Sequence, residues 1–180
     1  MILTEKQIES KKIYDGNILH VYEDVVSLPN QKCAVREIIR HEGAVCIVAL
    51  DDELNVVVEK QFRYPFGRVL TEIPAGKKEK NEDPLECAKR ELSEETGIAA
   101  DYWEYLGEYY PTVAISDEVI HMYMAKNLSY NQVHPDEDEF LSVEKMPLYD
   151  LVQMILEGKI CDGKTQAAVL KVWGKYYKNN

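Results

Sequence analysis

GKKEKNEDPLECAKRELSEETGI, residues 76–98, reads as a loop running into a helix whose caps are written in. Asp83 is a good N-cap, Pro84 fits the first helical position, and Glu86 completes a capping-box-like pattern. Leu85, Ala88 and Leu92 fall on one face at helical spacing, and Gly97 is placed to end the helix. The opposite face is unusual. Arg90, Glu91, Glu94 and Glu95 crowd into six residues, and Glu91 and Glu95, four apart, lie one above the other. Like charges at that spacing cost a bare helix roughly a few tenths of a kcal/mol per pair. They also stand near the C-terminal end, where the macrodipole disfavours anions. A divalent cation held by oxygen ligands would turn this repulsion into coordination. For an arbitrary acidic pair a solvated helix face would be the better reading, so the rest of the pattern must decide.

Outward from this segment, the chain shows strands and helices that do not alternate regularly. Strands are expected over 18–28, 34–39 and 43–50, the last (GAVCIVAL) nearly continuous in apolar residues, as for a strand buried on both faces. Asp51-Asp52 marks a turn, and residues 56–58 begin a return strand, so the two read as a short-looped hairpin. A strand pair is expected at 105–110 and 118–125, another strand at 140–143, and helices at 148–157 and 165–177. The pattern favours an α/β class of the α+β kind, with a mixed sheet and helices packed on its faces. Residues 1–42 read as an N-terminal β extension, and residues 43–180 as the domain that carries the 76–98 segment.

Composition narrows the functions. A chain of 180 residues with 46% hydrophobic residues can bury a core, and it has no apolar run long enough to span a bilayer. The N-terminal MILTEKQIESKK lacks a signal-peptide pattern, so a cytoplasmic location is expected. Cys33, Cys46, Cys87 and Cys161 show no metal or disulfide spacing and read as reduced thiols. The net charge of −11 and the lack of a basic, aromatic-interleaved patch argue against nucleic acid as a partner. If the chain acts on phosphates, divalent metal must cancel the repulsion.

Residues 76–98 match G-x5-E-x7-R-E-U-x-E-E-x-G-U, with U aliphatic, without a departure. Gly76, Glu82, Arg90, Glu91, Leu92, Glu94, Glu95, Gly97 and Ile98 take its fixed places, and on these residues the chain resembles the Nudix hydrolases. The resemblance implies an α/β/α sandwich and Mg²⁺-dependent (or Mn²⁺-dependent) hydrolysis of a nucleoside diphosphate linked to another moiety. It also implies that Glu91, Glu94 and Glu95 face the metals, with Glu95 a principal ligand, that Arg90 orients a glutamate, and that Glu82 supports the loop. Outside this segment, Gln61-Phe62-Arg63-Tyr64-Pro65 and Leu70-Thr71-Glu72-Ile73-Pro74-Ala75-Gly76 are similar to the ADP-ribose pyrophosphatase branch. So are Tyr110-Pro111-Thr112 and Ser116-Asp117-Glu118, although Thr112-Val113-Ala114-Ile115 lacks that branch's glycine-bearing turn. The branch implies a substrate-binding role for Arg63, Tyr64 and Glu72, and a main-chain metal contact at Ala75. It implies products AMP and ribose 5-phosphate, and a homodimer built with the N-terminal extension.

Pro135-Asp136-Glu137-Asp138-Glu139 reads on composition as an acidic loop. Related enzymes take a glutamate from a loop after the motif, and an ungapped count places Glu137 as catalytic base and Glu139 as a metal ligand. Arg90 and Glu94 join Glu137 in the catalytic set. Neighbouring readings keep the chemistry but change the substrate to a nucleoside diphosphate sugar, NADH or a diadenosine polyphosphate. A reading of another class is a non-catalytic nucleotide-sensing module, which need not keep Arg90, Glu91, Glu94 and Glu95.

Overall fold

The computed structural model describes residues 3–131 and 140–177. Its strands begin with β1 (Lys6–Asp15), β2 (His20–Ser27), β3 (Cys33–Arg40), β4 (Ala44–Ala49) and β5 (Asn55–Arg63). A 3-10 turn over Tyr64–Phe66 leads to β6 (Arg68–Glu72), β7 (Ala75–Lys77) and helix α1 (Pro84–Thr96). Then come β8 (Ile98–Tyr109), β9 (Ile120–Tyr130), β10 (Leu141–Pro147), α2 (Leu148–Leu156) and α3 (Gly163–Val172), which runs into a π-turn over Trp173–Tyr177. Among the described residues, 3–43 with 110–119 form one unit, and 44–109 with 120–131 and 140–177 form the other.

The first unit is a three-stranded antiparallel sheet, β1-β2-β3. Its outer strand β1, KQIESKKIYD, is exposed at every position and has no apolar alternation to betray it. Segment 110–119 is tied to β3 through Ile39 N–H donating to the Ile115 carbonyl (2.7 Å). Asp117 accepts hydrogen bonds from Arg40 Nη1 (3.1 Å) and from the His41 amide (2.8 Å). The Ser116-Asp117-Glu118 segment thus carries a structural bond to the end of β3.

The second unit holds two sheets, one in the order β7-β4-β9-β8 and one in the order β10-β5-β6. β4 pairs parallel with β9 and antiparallel with β7, so the first sheet is mixed. All six β4 residues are buried, and their alternation explains why. Cys46 and Val48 point toward Leu151, Ala168 and Val169 of α2 and α3. Val45, Ile47 and Ala49 point toward Cys87, Ala88 and Leu92 of α1. The helix pattern of 76–98 and the apolar run of 43–50 therefore meet as two layers of one α/β/α sandwich. Burying a side chain such as Leu92 contributes ~1.5–3 kcal/mol, far more than the few tenths lost to the acidic face.

The expected hairpin pairing differs. β4 and β5 do not form a hairpin ladder: they lie in different sheets and share only a Leu50–Val56 bridge. Asp51 explains the change of direction. Its carboxylate accepts from the Glu53 amide (3.1 Å) and the Asn55 amide (2.8 Å), closing a side-chain-stabilised turn. β5 then pairs with β6 on one side and β10 on the other, burying Val56, Val57 and Val58.

Candidate active site

Helix α1 starts at Pro84 with Asp83 as its N-cap, as the sequence implies, but Glu86 pairs with Lys89 rather than closing the expected capping box. Asp83 accepts from the Leu85 amide (2.9 Å) and the Glu86 amide (3.2 Å), while the Glu86 carboxylate is taken by Lys89 (2.7 Å). Gly97 closes the helix at φ 68°, a left-handed conformation suited to glycine. These caps fix where the acidic turn stands relative to β7.

Arg90 is the centre of that turn. Its Nε and Nη2 donate to the two oxygens of Glu82, at 2.9 and 3.0 Å. Its Nη1 donates to Glu91 (2.8 Å) and Glu94 (2.9 Å), and Nη2 also reaches the Lys77 carbonyl (3.2 Å). One guanidinium thus fixes three carboxylates and the end of β7, and an excess of negative charge remains. Hydrogen bonds from Arg90 hold the Glu82 carboxyl at about 2. The Glu82 carboxylate in turn accepts the Glu79 amide (2.8 Å), which fixes the loop. Burial pushes the neighbouring Cys87 thiol up to about 12, so it remains protonated beside Arg90.

Glu95 stands apart from the Arg90 cluster. It is buried, 4% exposed, and its Oε2 accepts the Ala75 amide at 3.1 Å. Register brings this about: Ala75 lies opposite Cys46 and Gly76 opposite Val45, on the edge of the sheet that α1 covers. Gly76 has its own steric role. A Cβ there would fall 1.9 Å from the Glu91 carboxyl carbon and 2.1 Å from Oε2. Only glycine lets the Glu91 carboxylate lie against the main chain. Gly76→Ala is therefore expected to displace Glu91 and lower kcat on the order of tenfold, with the unfolding midpoint little changed. A variant with wild-type kcat would show that the position of Glu91 is immaterial.

The donors Glu91, Glu94, Glu95 and the Ala75 main chain are all hard oxygens, which fits a divalent cation such as Mg²⁺ or Mn²⁺. The Gly76 cradle, with a carboxylate where a side chain would otherwise sit, fits it too. Among the described residues no three acidic, histidine or cysteine side chains converge as a ready ligand set. The reason is visible: Glu91 and Glu94 are turned toward Arg90, and Glu95 toward the Ala75 amide.

A second cluster lies at the end of β6. Arg63 makes a two-pronged pair with Glu72, Nε to Oε1 at 2.7 Å and Nη2 to Oε2 at 2.8 Å. Lys164 also bonds Glu72, and it contacts Asp162 at 3.1 Å. Burial would raise the Glu72 carboxyl, but hydrogen bonds from Arg63 and the nearby charge of Lys164 outweigh it and hold it at about 2. Tyr64, next to Arg63 in the 3-10 turn that Gly67 closes at φ 61°, is 87% exposed.

Glu72 and Glu82 are ionised in the fold well below the ordinary carboxylate value of 4.5. Their contribution to stability is complete above that value and is lost as pH falls from 4.5 toward about 2. Thermal midpoints should therefore fall across that interval, and less steeply in Glu72→Gln. An equal acid decline in both proteins would remove Glu72 from this account.

Of the residues singled out in the sequence, the structure brings Gly76, Glu82, Arg90, Glu91 and Glu94 together, with Glu95 on Ala75. Arg63 and Glu72 form the separate pair, with Tyr64 beside it. Glu137 and Glu139 lie outside the described residues. His20 bonds Asp15, His41 stands 4.0 Å from Glu118, and His121 approaches Tyr105. Asp162, Lys164 and Thr165 were not distinguished by sequence, although Asp162 could be read as a helix cap.

A loop, helix and β-edge that gather glutamates around one arginine on an α/β/α sandwich offer hard-oxygen donors of the kind that suit a divalent cation. A profile of the NUDIX domain matches residues 40–167, and the chain belongs to that family. It is 41% identical over 170 residues to a methanol dehydrogenase activator from Bacillus methanolicus, covering 93% of this chain and 92% of the relative. It is 39% identical over 169 residues to an ADP-ribose pyrophosphatase from Bacillus subtilis, covering 93% and 91%. A solved structure of an ADP compounds hydrolase superposes with a TM-score of 0.88 at 18% identity, over all of this chain and 98% of that one. This likeness bears out the mixed-sheet sandwich.

Proposed function

We propose that the protein hydrolyses the diphosphate of ADP-ribose with a divalent cation, Mg²⁺ or Mn²⁺, yielding AMP and ribose 5-phosphate. The observation that carries this reading is the Arg90-centred cluster of Glu82, Glu91 and Glu94, with Glu95 on Ala75. The full-length likeness to an ADP-ribose pyrophosphatase supports the substrate. A bound cation would neutralise charge on the diphosphate oxygens and on the leaving phosphate. Glu91, Glu95, the Ala75 main chain and Glu139 would hold it. Arg90 keeps the acidic side chains in place, Glu94 lines the same turn, and Glu137 takes the proton of the attacking water. One P–O bond to that water forms as the bridging P–O bond breaks. Arg63 supplies a cation to the substrate, Tyr64 an aromatic face, and Glu72 a hydrogen-bond acceptor.

The test is a panel of ADP-ribose, nucleoside diphosphate sugars, NADH and diadenosine polyphosphates, each with Mg²⁺ present or chelated, with products identified. ADP-ribose should be hydrolysed to AMP only with metal. Release of free ADP, or brisk turnover of another compound alone, would sink the substrate assignment. A chain that binds nucleotide without turnover would be a sensing module instead.

A second reading is favoured by the 41% identity to a methanol dehydrogenase activator. On that reading the protein raises the rate of an alcohol dehydrogenase, which adding it to a methanol dehydrogenase assay would reveal.

The protein is further proposed to work as a homodimer in a reducing compartment such as the cytoplasm. Exposed Ile8, Ile13 and Tyr14 on β1 support a partner surface, and all four cysteines are free thiols. Among the described residues no helix is long and apolar enough to cross a membrane. Sedimentation at micromolar concentration should give a dimer. A fully active monomer would reject it.

A further inference from the structure

We propose that Lys164 is a positioning residue, which keeps Glu72 neutralised when Arg63 turns from it to the substrate. This rests on the reading of Arg63 and Glu72 as substrate-binding. In the structure Glu72 has two cations but they are not equivalent. The Arg63 side chain is 38% exposed, whereas that of Lys164 is 13% exposed. Arg63 is the more accessible of the two to a phosphate from solvent. Glu72 is 4% exposed and stands opposite Glu59 in the β5–β6 register, itself buried. Two carboxylates side by side in a buried position make the loss of a cation costly. With Lys164 in place, Arg63 can leave without stranding Glu72.

The position of Lys164 is set independently of Arg63. Asp162 caps α3, accepting from the Thr165 amide (2.9 Å) and hydroxyl (2.6 Å), and it also holds Lys164. Thr165 Oγ1 in turn accepts the Ile73 amide (3.0 Å), locking α3 to the residue that follows Glu72. Gly163, the first residue of α3, leaves room for the Tyr109 hydroxyl, which would lie 2.4 Å from a Cβ there. The ammonium therefore stays where it is whichever way Arg63 points.

The experiment is a double-mutant cycle on the full chain with Mg²⁺ and ADP-ribose, or the best panel substrate if ADP-ribose is not turned over. Lys164→Met should raise KM on the order of tenfold while kcat changes by less than about twofold, and Lys164→Arg should restore most of the loss. In the Glu72→Gln background, where no carboxylate needs a second cation, Lys164→Met should change KM by less than about twofold. An equal KM penalty in both backgrounds, or a loss confined to kcat, would overturn the proposal. Arg63→Ala with unchanged KM would overturn the reading of the pocket and this inference with it. A failure confined to the Lys164 variants would leave the pocket reading standing. If Lys164→Met does not fold, Lys164→Gln carries the same comparison.

Discussion

Replacing Glu95 with glutamine is expected to lower kcat by more than about a hundredfold at saturating Mg²⁺, with the fold intact. The substitution separates two roles of this side chain. Glu95 accepts the Ala75 amide at 3.1 Å, and a glutamine carbonyl can accept the same bond. The link between α1 and β7 should therefore survive, and the unfolding midpoint should hold. A buried negative charge disappears while an acceptor for the Ala75 amide remains. What is lost is the charge needed to bind a divalent cation close to the main chain. The decisive measurements are kcat against Mg²⁺ concentration and a thermal melt of the same preparation. Near wild-type turnover at saturating Mg²⁺ would show that Glu95 is a structural acceptor only. A collapsed melt would show that the Ala75 bond depends on full charge.

The parts of this molecule legible in the sequence are those set by neighbours in the chain. Asp83, Pro84 and Gly97 announce α1 because capping is settled within a few residues. The clash of Arg90, Glu91, Glu94 and Glu95 with ordinary helix rules announces the site, and the structure resolves that clash through Arg90. Pairing was harder to see. The Asp51 turn signal is real, but which strand lies beside β5 depends on β10, far along the chain, so the expected hairpin with β4 became a crossing between sheets. β1 gave no signal because none of its residues is buried, and burial is what produces alternation. Arg63 and Glu72 were visible as candidates, but their shared charge was not. Lys164 lies 92 residues from Glu72, and no local pattern ties a lysine near a helix start to a distant strand end.

The remaining large effect is expected at Glu137. Hydrolysis needs a carboxylate with an oxygen to spare for the proton of the attacking water. The motif's own glutamates are engaged: Glu82, Glu91 and Glu94 on Arg90, and Glu95 on the Ala75 amide. Electrostatics points the same way for Glu82, whose carboxyl is held at about 2 and is a poor proton acceptor near neutrality. We place the base outside the motif: the acidic segment 135–139 supplies carboxylates, and an ungapped count puts Glu137 among them. Glu137→Gln should lower kcat by about 10² to 10⁴, with little change in KM or in the Mg²⁺ concentration needed. Glu139→Gln should behave differently, raising the Mg²⁺ requirement and recovering in part at high metal, because a ligand is lost and not a proton acceptor. A pH profile sharpens the distinction: loss of the base should flatten the acid limb of kcat in Glu137→Gln but leave it in place in Glu139→Gln. If both variants match wild type, segment 135–139 is a solvated charge run. The base must then be Glu82, Glu91 or Glu94, and whichever it is would have to leave Arg90 to act.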